Sequence, residues 1–332
     1  MYQLSSGKKL FVIICLIFFA VVILVTLMHP SSRKIVSLGR HPLPQLSNNS
    51  SNVVNVLNPR VRSSNLTVSV LDVFETSPEE AKYECVHLRT KKGYAHICIY
   101  PTQKDRFISA SLKNTGSWEP HLTSKLEQVL ENDRNLNFID VGANLGVYSI
   151  IALRYNRRML AVDANPENAK HIRRSVKMGE YENMATIVVN AISDNYDYMK
   201  VKLPADNNVG GAHVYKAVKT DDLAVKSVYM DDLLEVINFN RAVMKIDVES
   251  SEPQALSHSS KFFSQIDIPY VFMEWEYIKD SAGGLRVKDF LESRGYSAHA
   301  DGHALAGDHK KWPYDIMWIR TKPHIFPAVK PI

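Results

Sequence analysis

The chain has 332 residues, of which 45% are hydrophobic and 23% charged, with a formal net charge of +5. That composition excludes a disordered or fibrous protein and leaves room for one domain of about 250 residues plus an appendage. The Lys and Arg residues are dispersed, so no nucleic-acid footprint is present.

Residues 1–9 form a short tail containing Lys8 and Lys9, expected on the cytoplasmic side. Leu10 to Met28 is an apolar run in which Thr26 is the only polar residue. At about 1.5 Å per residue, a helix over 10–28 is just long enough to cross hydrocarbon. It is too long for a cleaved leader and no A-x-A site follows, so the expectation is a signal anchor. Residues 29–80 are rich in Ser, Asn and Pro and poor in aromatics, which predicts a largely disordered stem. Asn48, Asn49 and Asn65 each open an N-x-S/T acceptor. Clustered in the stem, they favour a single-pass type II protein with a lumenal C-terminal part, in the Golgi or another secretory-pathway membrane. The charge rule alone is indecisive, because Arg33, Lys34 and Arg40 lie on the far side. A cytosolic orientation is the alternative.

The predicted domain is 81–332, and its first part, 81–114, is a β-hairpin region. Two strand-like runs over 83–100 flank a Lys91-Lys92-Gly93 turn, and a two-residue loop there sets Cys85 opposite Cys98. A disulfide between them is expected, with two free thiols as the alternative. A helix follows near 121–132. Strand 137–141 leads to helix 145–155, and strand 159–163 leads to a helix opened by Asn165-Pro166-Glu167, a cap with Pro at the first helical position. Strand 185–190 comes next, then an irregular or strand-rich stretch over 198–230. Helix 231–238 precedes strand 242–248, helix 253–264 precedes strand 269–275, and helix 285–294 precedes strand 296–300. Strand 314–320 closes the domain. Such alternation predicts an α/β, doubly wound parallel sheet with an antiparallel last strand.

The most informative stretch is Phe138-Ile139-Asp140-Val141-Gly142-Ala143-Asn144-Leu145-Gly146, a buried strand turning into a helix through Gly-x-x-x-Gly. Its glycines let backbone approach a ligand, and the helix start offers free N–H groups. Asp163 ends the next strand 21 residues after Gly142, where an acid can take hydrogen bonds from ribose hydroxyls. The loop has neither G-x-G-x-x-G nor Gly-Lys-Ser/Thr, so a ligand with ribose but no phosphate fits best, and S-adenosylmethionine is the common one.

Four blocks occur in order: the stretch just quoted, Ala161-Val162-Asp163-Ala164-Asn165-Pro166, Asn190-Ala191-Ile192-Ser193-Asp194, and Lys245-Ile246-Asp247-Val248-Glu249. Together, over roughly 115 to 320, they resemble the FkbM-type S-adenosylmethionine-dependent methyltransferases, with the membrane-anchored layout of an animal-type member. The resemblance implies a seven-stranded Rossmann-like sheet and methyl transfer to oxygen, often on sugars or polyketides. Relatives usually carry Gly after the last block, whereas this chain has Ser250-Ser251-Glu252.

On this reading Gly142, Asn144 and Gly146 surround the methionine part of the cofactor, Asp163 binds the ribose, Ala191 and Ile192 contact the adenine with Asp194 a weaker candidate, and Ala164 is a further cofactor contact. Asp140 reaches the amino-acid end through water or else holds the turn. Trp118-Glu119 lies where relatives often cover the cofactor. A sugar hydroxyl is a poor nucleophile, so a base helps. Asp247, Glu249 and Glu274, at neighbouring strand ends, are the candidates. Such a cluster could also hold a divalent cation, but no metal is predicted. Glu276, Trp275, His303 and Trp312 are the candidate acceptor contacts, with the two tryptophans stacking on a sugar face. The loop bearing His299, Asp301, His303, Asp308 and His309 reads as a solvated loop touching the acceptor, with a His-x-Asp-x-His metal site as the alternative. The layout of anchor, stem and domain makes a hexose on a glycoprotein or glycolipid the expected acceptor, by analogy. The competing readings are a non-catalytic lumenal binding module and a methyltransferase of small molecules or lipids.

Overall fold

The structure is a computed structural model that describes residues 66–202, 209 and 211–323. All of them fall within one unit, Asn55–Ile332. The apolar run 10–28 and the acceptors at Asn48, Asn49 and Asn65 lie outside the described residues. No helix among the described residues is long and apolar enough to cross a membrane.

In chain order the elements are β1 (Val70–Leu71), β2 (Glu84–Thr90), β3 (Gly93–Ile99), α1 (Ile108–Thr115), α2 (Pro120–Asn132), β4 (Asn137–Val141), α3 (Val147–Arg154), β5 (Met159–Asp163), α4 (Pro166–Met178), β6 (Ala185–Val189), β7 (Ala191–Ile192), β8 (Tyr198–Lys202), β9 (His213–Ala217), β10 (Val225–Val228), β11 (Arg241–Ile246), α5 (Glu252–Ser257), α6 (Ser260–Gln265), β12 (Asp267–Glu274), α7 (Ala282–Ser293), β13 (Tyr296–Ala300), β14 (His303–Ala304) and β15 (Asp315–Arg320).

The main sheet has the order β1-β6-β5-β4-β11-β12-β15-β13-β14. Strands β6, β5, β4, β11 and β12 are parallel, and β15 runs antiparallel between β12 and β13. The expected seven strands and antiparallel closing strand are therefore present, with two-residue strands added at each edge. Successive residues of β4 point to opposite layers. Phe138 joins one buried cluster with Ala161, Ile187 and Val243, and Ile139 joins the other with Leu160, Val188 and Met244. Both faces are covered, which is why these strands read as continuous apolar runs. The strand order reverses between β4 and β11, and that switch point opens a crevice at their carboxyl ends.

Several boundaries differ from expectation. The stretch 231–238 is a short 3-10 helix, Met230–Glu235. Helix 253–264 is split into α5 and α6 at His258-Ser259, and helix α1 was not anticipated. Residues 66–80, assigned to the stem by composition, are built into the domain. β1 pairs with β6, Val68 and Val73 are buried, and Glu80 forms a buried ion pair with Arg173 on α4. Scattered short apolar and acidic residues carry no periodicity, so only their tertiary partners reveal this docking.

In the hairpin β2–β3, Cys85 is directly opposite Cys98 and the two are disulfide-bonded. The Cys98 amide donates to the Ser175 hydroxyl at 2.8 Å, tying the hairpin to α4. A second sheet, β7-β10-β8-β9, covers the crevice from one side. Three of its strands, β8, β9 and β10, fill the stretch 198–230 that was expected to be irregular or strand-rich.

Candidate active site

The turn after β4 is forced by backbone contacts. Gly142 has φ +81°, and a Cβ built on it would lie 1.8 Å from the Asp247 carbonyl oxygen. Only glycine tolerates both the conformation and the approach. Asn144 and Gly146 are also left-handed, at φ 51° and 80°. The Gly142 and Ala143 amides donate to the Val162 carbonyl, at 2.9 and 3.1 Å. The Asn144 amide donates to Asp163 Oδ2 at 2.7 Å. The glycine loop is thus stitched to the end of β5.

Asp163 also accepts from the Asn165 amide at 2.7 Å and from Asn168 Nδ2 at 3.2 Å. Burial pushes its carboxyl up to about 6 against the pull of these donors. Around it is a narrow cavity of about 80 Å³, lined by Gly142, Asn144, Ala164, Ala191, Ile192 and Val214 among others. Asn144 Oδ1 is buried and has no hydrogen-bond partner among the described residues, an acceptor awaiting a donor.

Gly142, Asn144, Asp247 and Glu249 also line a larger cleft of about 490 Å³, whose other walls include Trp118, Glu119, Tyr148, Lys245, Glu274, Tyr277 and Tyr314. Asp247, Glu249 and Glu274 each place one carboxylate oxygen within 4.8 Å of the others. Neighbouring strands β11 and β12 end side by side, and this brings the three acids together. Glu249 and Ser250 have φ 52° and 72°. Ser250 therefore takes the left-handed conformation that a glycine at this point would favour. Burial, then Asp247 and Glu274, push the Glu249 carboxyl up to about 8. Burial and Asp247 push Glu274 to about 7. Glu252 accepts from the Val248 amide at 3.0 Å, a helix-start role, and burial raises it to about 7.

Lys245 is the counter-charge. Its Nζ donates to Asp247 Oδ2 at 2.6 Å and lies 4.8 Å from the centroid of the Tyr148 ring. Burial would lower its pKa, but Asp247, Glu119 and Asp140 hold it above the ordinary lysine value. Glu119, itself at φ 44°, accepts from the Tyr148 hydroxyl at 2.5 Å. The triad of carboxylates has a spacing that a divalent ion could bridge, yet the Lys245 ammonium already places positive charge on Asp247.

Gly142, Asn144, Asp163, Ala164, Ala191, Ile192, Asp247, Glu249 and Glu274 all converge on the two cavities as expected. Gly146 acts one step back, where a Cβ would press on Ile172 at 3.0 Å. Asp140 lines neither cavity. It is buried and accepts from Ser149 Oγ at 2.7 Å, so it holds the turn against α3. The expected acceptor contacts sit elsewhere. Trp275 is 0% exposed and packs with Trp312 and Trp318 in one aromatic cluster. Its indole N–H donates to the His309 carbonyl at 2.9 Å. Side chains alternate along a strand, so Glu274 faces the cleft and Trp275 the core. Glu276 pairs with Lys279 at 2.6 Å, and His303 lies exposed on edge strand β14. None of these four residues lines the cleft. The aromatics that do are Phe107, Trp118, Tyr148, Tyr277 and Tyr314. Lys245 was legible in principle, as a lysine set among the apolar residues of β11.

Residues 140–298 match the family model described as the Methyltransferase FkbM domain. No curated protein matches the sequence. Among solved structures, an O-methyltransferase from Bacillus cereus in complex with SAH is 12% identical, with a TM-score of 0.37 over 63% of this chain and 84% of that one. A SAM-dependent O-methyltransferase from Thermotoga maritima is 11% identical, with a TM-score of 0.35 over 71% and 78%.

Proposed function

We propose, from the premise that residues 140–298 of this chain form an FkbM methyltransferase domain whose cofactor is S-adenosylmethionine, that the protein is an O-methyltransferase acting on hydroxyl groups of hexoses in glycans. The observation that supports this most is the meeting of Asp247, Glu249 and Glu274 where the two cavities join.

The residues present fit the cofactor. Asp163 would hold the ribose, and Ala191, Ile192 and Val214 the adenine. The unpartnered Asn144 Oδ1 would accept from the ammonium of the amino-acid tail. When bound, S-adenosylmethionine supplies a methyl group made electrophilic by its sulfonium. The protein's task is then to align the acceptor oxygen and take its proton. Glu249 is the better base of the cluster. Its carboxyl, raised to about 8, is matched to near-neutral proton transfer, and it makes no ion pair among the described residues. Asp247 is held by Lys245, which orients it to accept a hydrogen bond from the same hydroxyl. Glu274 completes the wall.

The proposed setting is the secretory-pathway lumen, with residues 10–28 as a membrane anchor. The supports are the apolar run, the acceptors clustered in the stem, and the Cys85–Cys98 disulfide, which suits an oxidising compartment. The test is incubation of the protein with methyl-labelled S-adenosylmethionine and a panel of hexosides and N-glycans. Label on a sugar oxygen, lost in Asp163→Ala, is the expected result. Label on no glycan despite cofactor binding would overturn the acceptor assignment.

A further inference from the structure

We propose that Tyr277 and Tyr314 form the platform on which the acceptor ring rests, and that the pocket behind them takes an uncharged, hydroxyl-rich ring and rejects an anionic one. The proposal rests on the O-methyl transfer reading above and assigns its acceptor subsite. Both tyrosines line the large cleft. They are 56% and 45% exposed. Their rings stand edge to face, with centroids 5.7 Å apart, and their hydroxyls share a hydrogen bond of 2.9 Å. The Tyr314 hydroxyl also bonds the Glu274 carboxylate. The platform is therefore fixed to the catalytic wall and is not a loose surface pair. A pyranose presents polarised C–H bonds on its less polar face, and these meet the negative face of an aromatic ring as a weak cation would.

The charges behind the platform decide what else is admitted. Glu119, Asp247, Glu249 and Glu274 all face the cleft. Among its described lining residues Lys245 is the one ammonium, held by Asp247, and His213 is the one imidazole, its Nδ1 3.2 Å from the Glu249 carbonyl oxygen. Carboxylates accept hydrogen bonds from sugar hydroxyls and have none to give an anion unless they first protonate. Glu249 must be ionised to act as base, so the exclusion applies to the active form: at pH 9 a uronate or sulfate placed about 5 Å from ionised Glu249, at an effective dielectric of about 20, meets repulsion equivalent to a loss of about 100-fold in kcat/KM.

The experiment compares methyl hexoside, methyl hexuronide and methyl glucosaminide as acceptors for wild type, Tyr277→Ala and Tyr277→Phe. S-adenosylhomocysteine affinity is measured alongside by calorimetry. Hexoside contact is read by saturation-transfer NMR with S-adenosylhomocysteine bound. Tyr277 is exposed, so the alanine variant should fold. Expected are a KM for hexoside about tenfold higher in Tyr277→Ala with kcat within threefold, near-normal behaviour of Tyr277→Phe, unchanged S-adenosylhomocysteine affinity, and a hexuronide about 100-fold poorer than the hexoside at pH 9. Hexoside that shows saturation transfer in wild type, loses it in Tyr277→Ala, and yet is never methylated would sink the O-methyltransferase reading while keeping the platform. Equal saturation transfer in Tyr277→Ala, absence of any transfer in wild type, hexuronide used as well as hexoside, or preferred methylation of the glucosaminide amine would each overturn the inference.

Discussion

Gly142→Ala is the sharpest test of how the crevice is built. The added Cβ would begin 1.8 Å from the Asp247 carbonyl oxygen, so the two backbones must separate by about 1.5 Å to reach ordinary contact. Alanine at φ +81° costs about 1 kcal/mol in the left-handed region. Separation also breaks the 3.0 Å bond from the Asp247 amide to the Val141 carbonyl, worth about 1 kcal/mol. Residual strain adds about 1 kcal/mol more. The total of about 3 kcal/mol corresponds to a Tm lowered by about 6–12 °C for a domain of this size. Because the same shift moves Asp247 and the amide that binds Asp163, S-adenosylhomocysteine affinity should fall about 100-fold or more. Differential scanning fluorimetry and calorimetry measure the two effects. A Tm within 2 °C of wild type (on the order of half a kcal/mol) together with unchanged affinity would refute the argument, because it would show that the loop and β11 can part freely.

Four further outcomes are expected. Glu249 must be ionised to act as base, so kcat should climb with pH through about 8; Glu249→Gln should lose that limb and about 100-fold in rate while still binding cofactor. Its folded-state pKa lies above the unfolded value, so any stability linked to it is present at low pH and lost as pH rises from about 4.5 to about 8. Glu249→Gln should therefore melt higher than wild type at pH 9 and about equal to it at pH 4. Chelators should leave turnover unchanged, because Lys245 supplies the charge beside Asp247; inactivation by EDTA, reversed by Mg²⁺ or Mn²⁺, would assign an ion to the triad instead. Cys85→Ser with Cys98→Ser should destabilise the domain by about 3 kcal/mol, the entropy of a short closed loop, and a denaturant titration that shows no change would count against a bridged hairpin.

Much of the site was legible because it lies where strands end. Gly142, Asp163, Asp247 and Glu274 each close an apolar run, and a doubly wound sheet delivers all such ends to one edge. The cap at Asn165, seen in the Asn-Pro-Glu order, accepts from the Glu167 amide as its residue types require. The Cys85–Cys98 pairing followed from a two-residue turn, because register across so short a loop leaves little choice. These are local or nearly local rules, in which periodicity and backbone chemistry decide the outcome.

The aromatic residues show where that logic stopped. Trp275 and Tyr277 are two apart, and their types do not say which one meets the cleft. The parity of β12 buries Trp275 against Trp312 and Trp318, while the turn beyond the strand leaves Tyr277 outside with Tyr314. Tyr277 and Tyr314 are 37 residues apart in the chain and meet through the antiparallel pairing of β12 with β15. Lys245 likewise stood in the motif, but only the assembled sheet surrounds it with Asp247, Glu119 and Asp140. The docking of residues 66–80 depends on Arg173, about a hundred positions further along. The chain by itself determined the strand–helix alternation, the glycine turn and the acids at the strand ends, because those rest on neighbours in sequence. Charge balance, the aromatic wall of the cleft and the second sheet over the crevice were decided by tertiary packing, because burial and electrostatic coupling belong to groups that the chain keeps far apart until it folds.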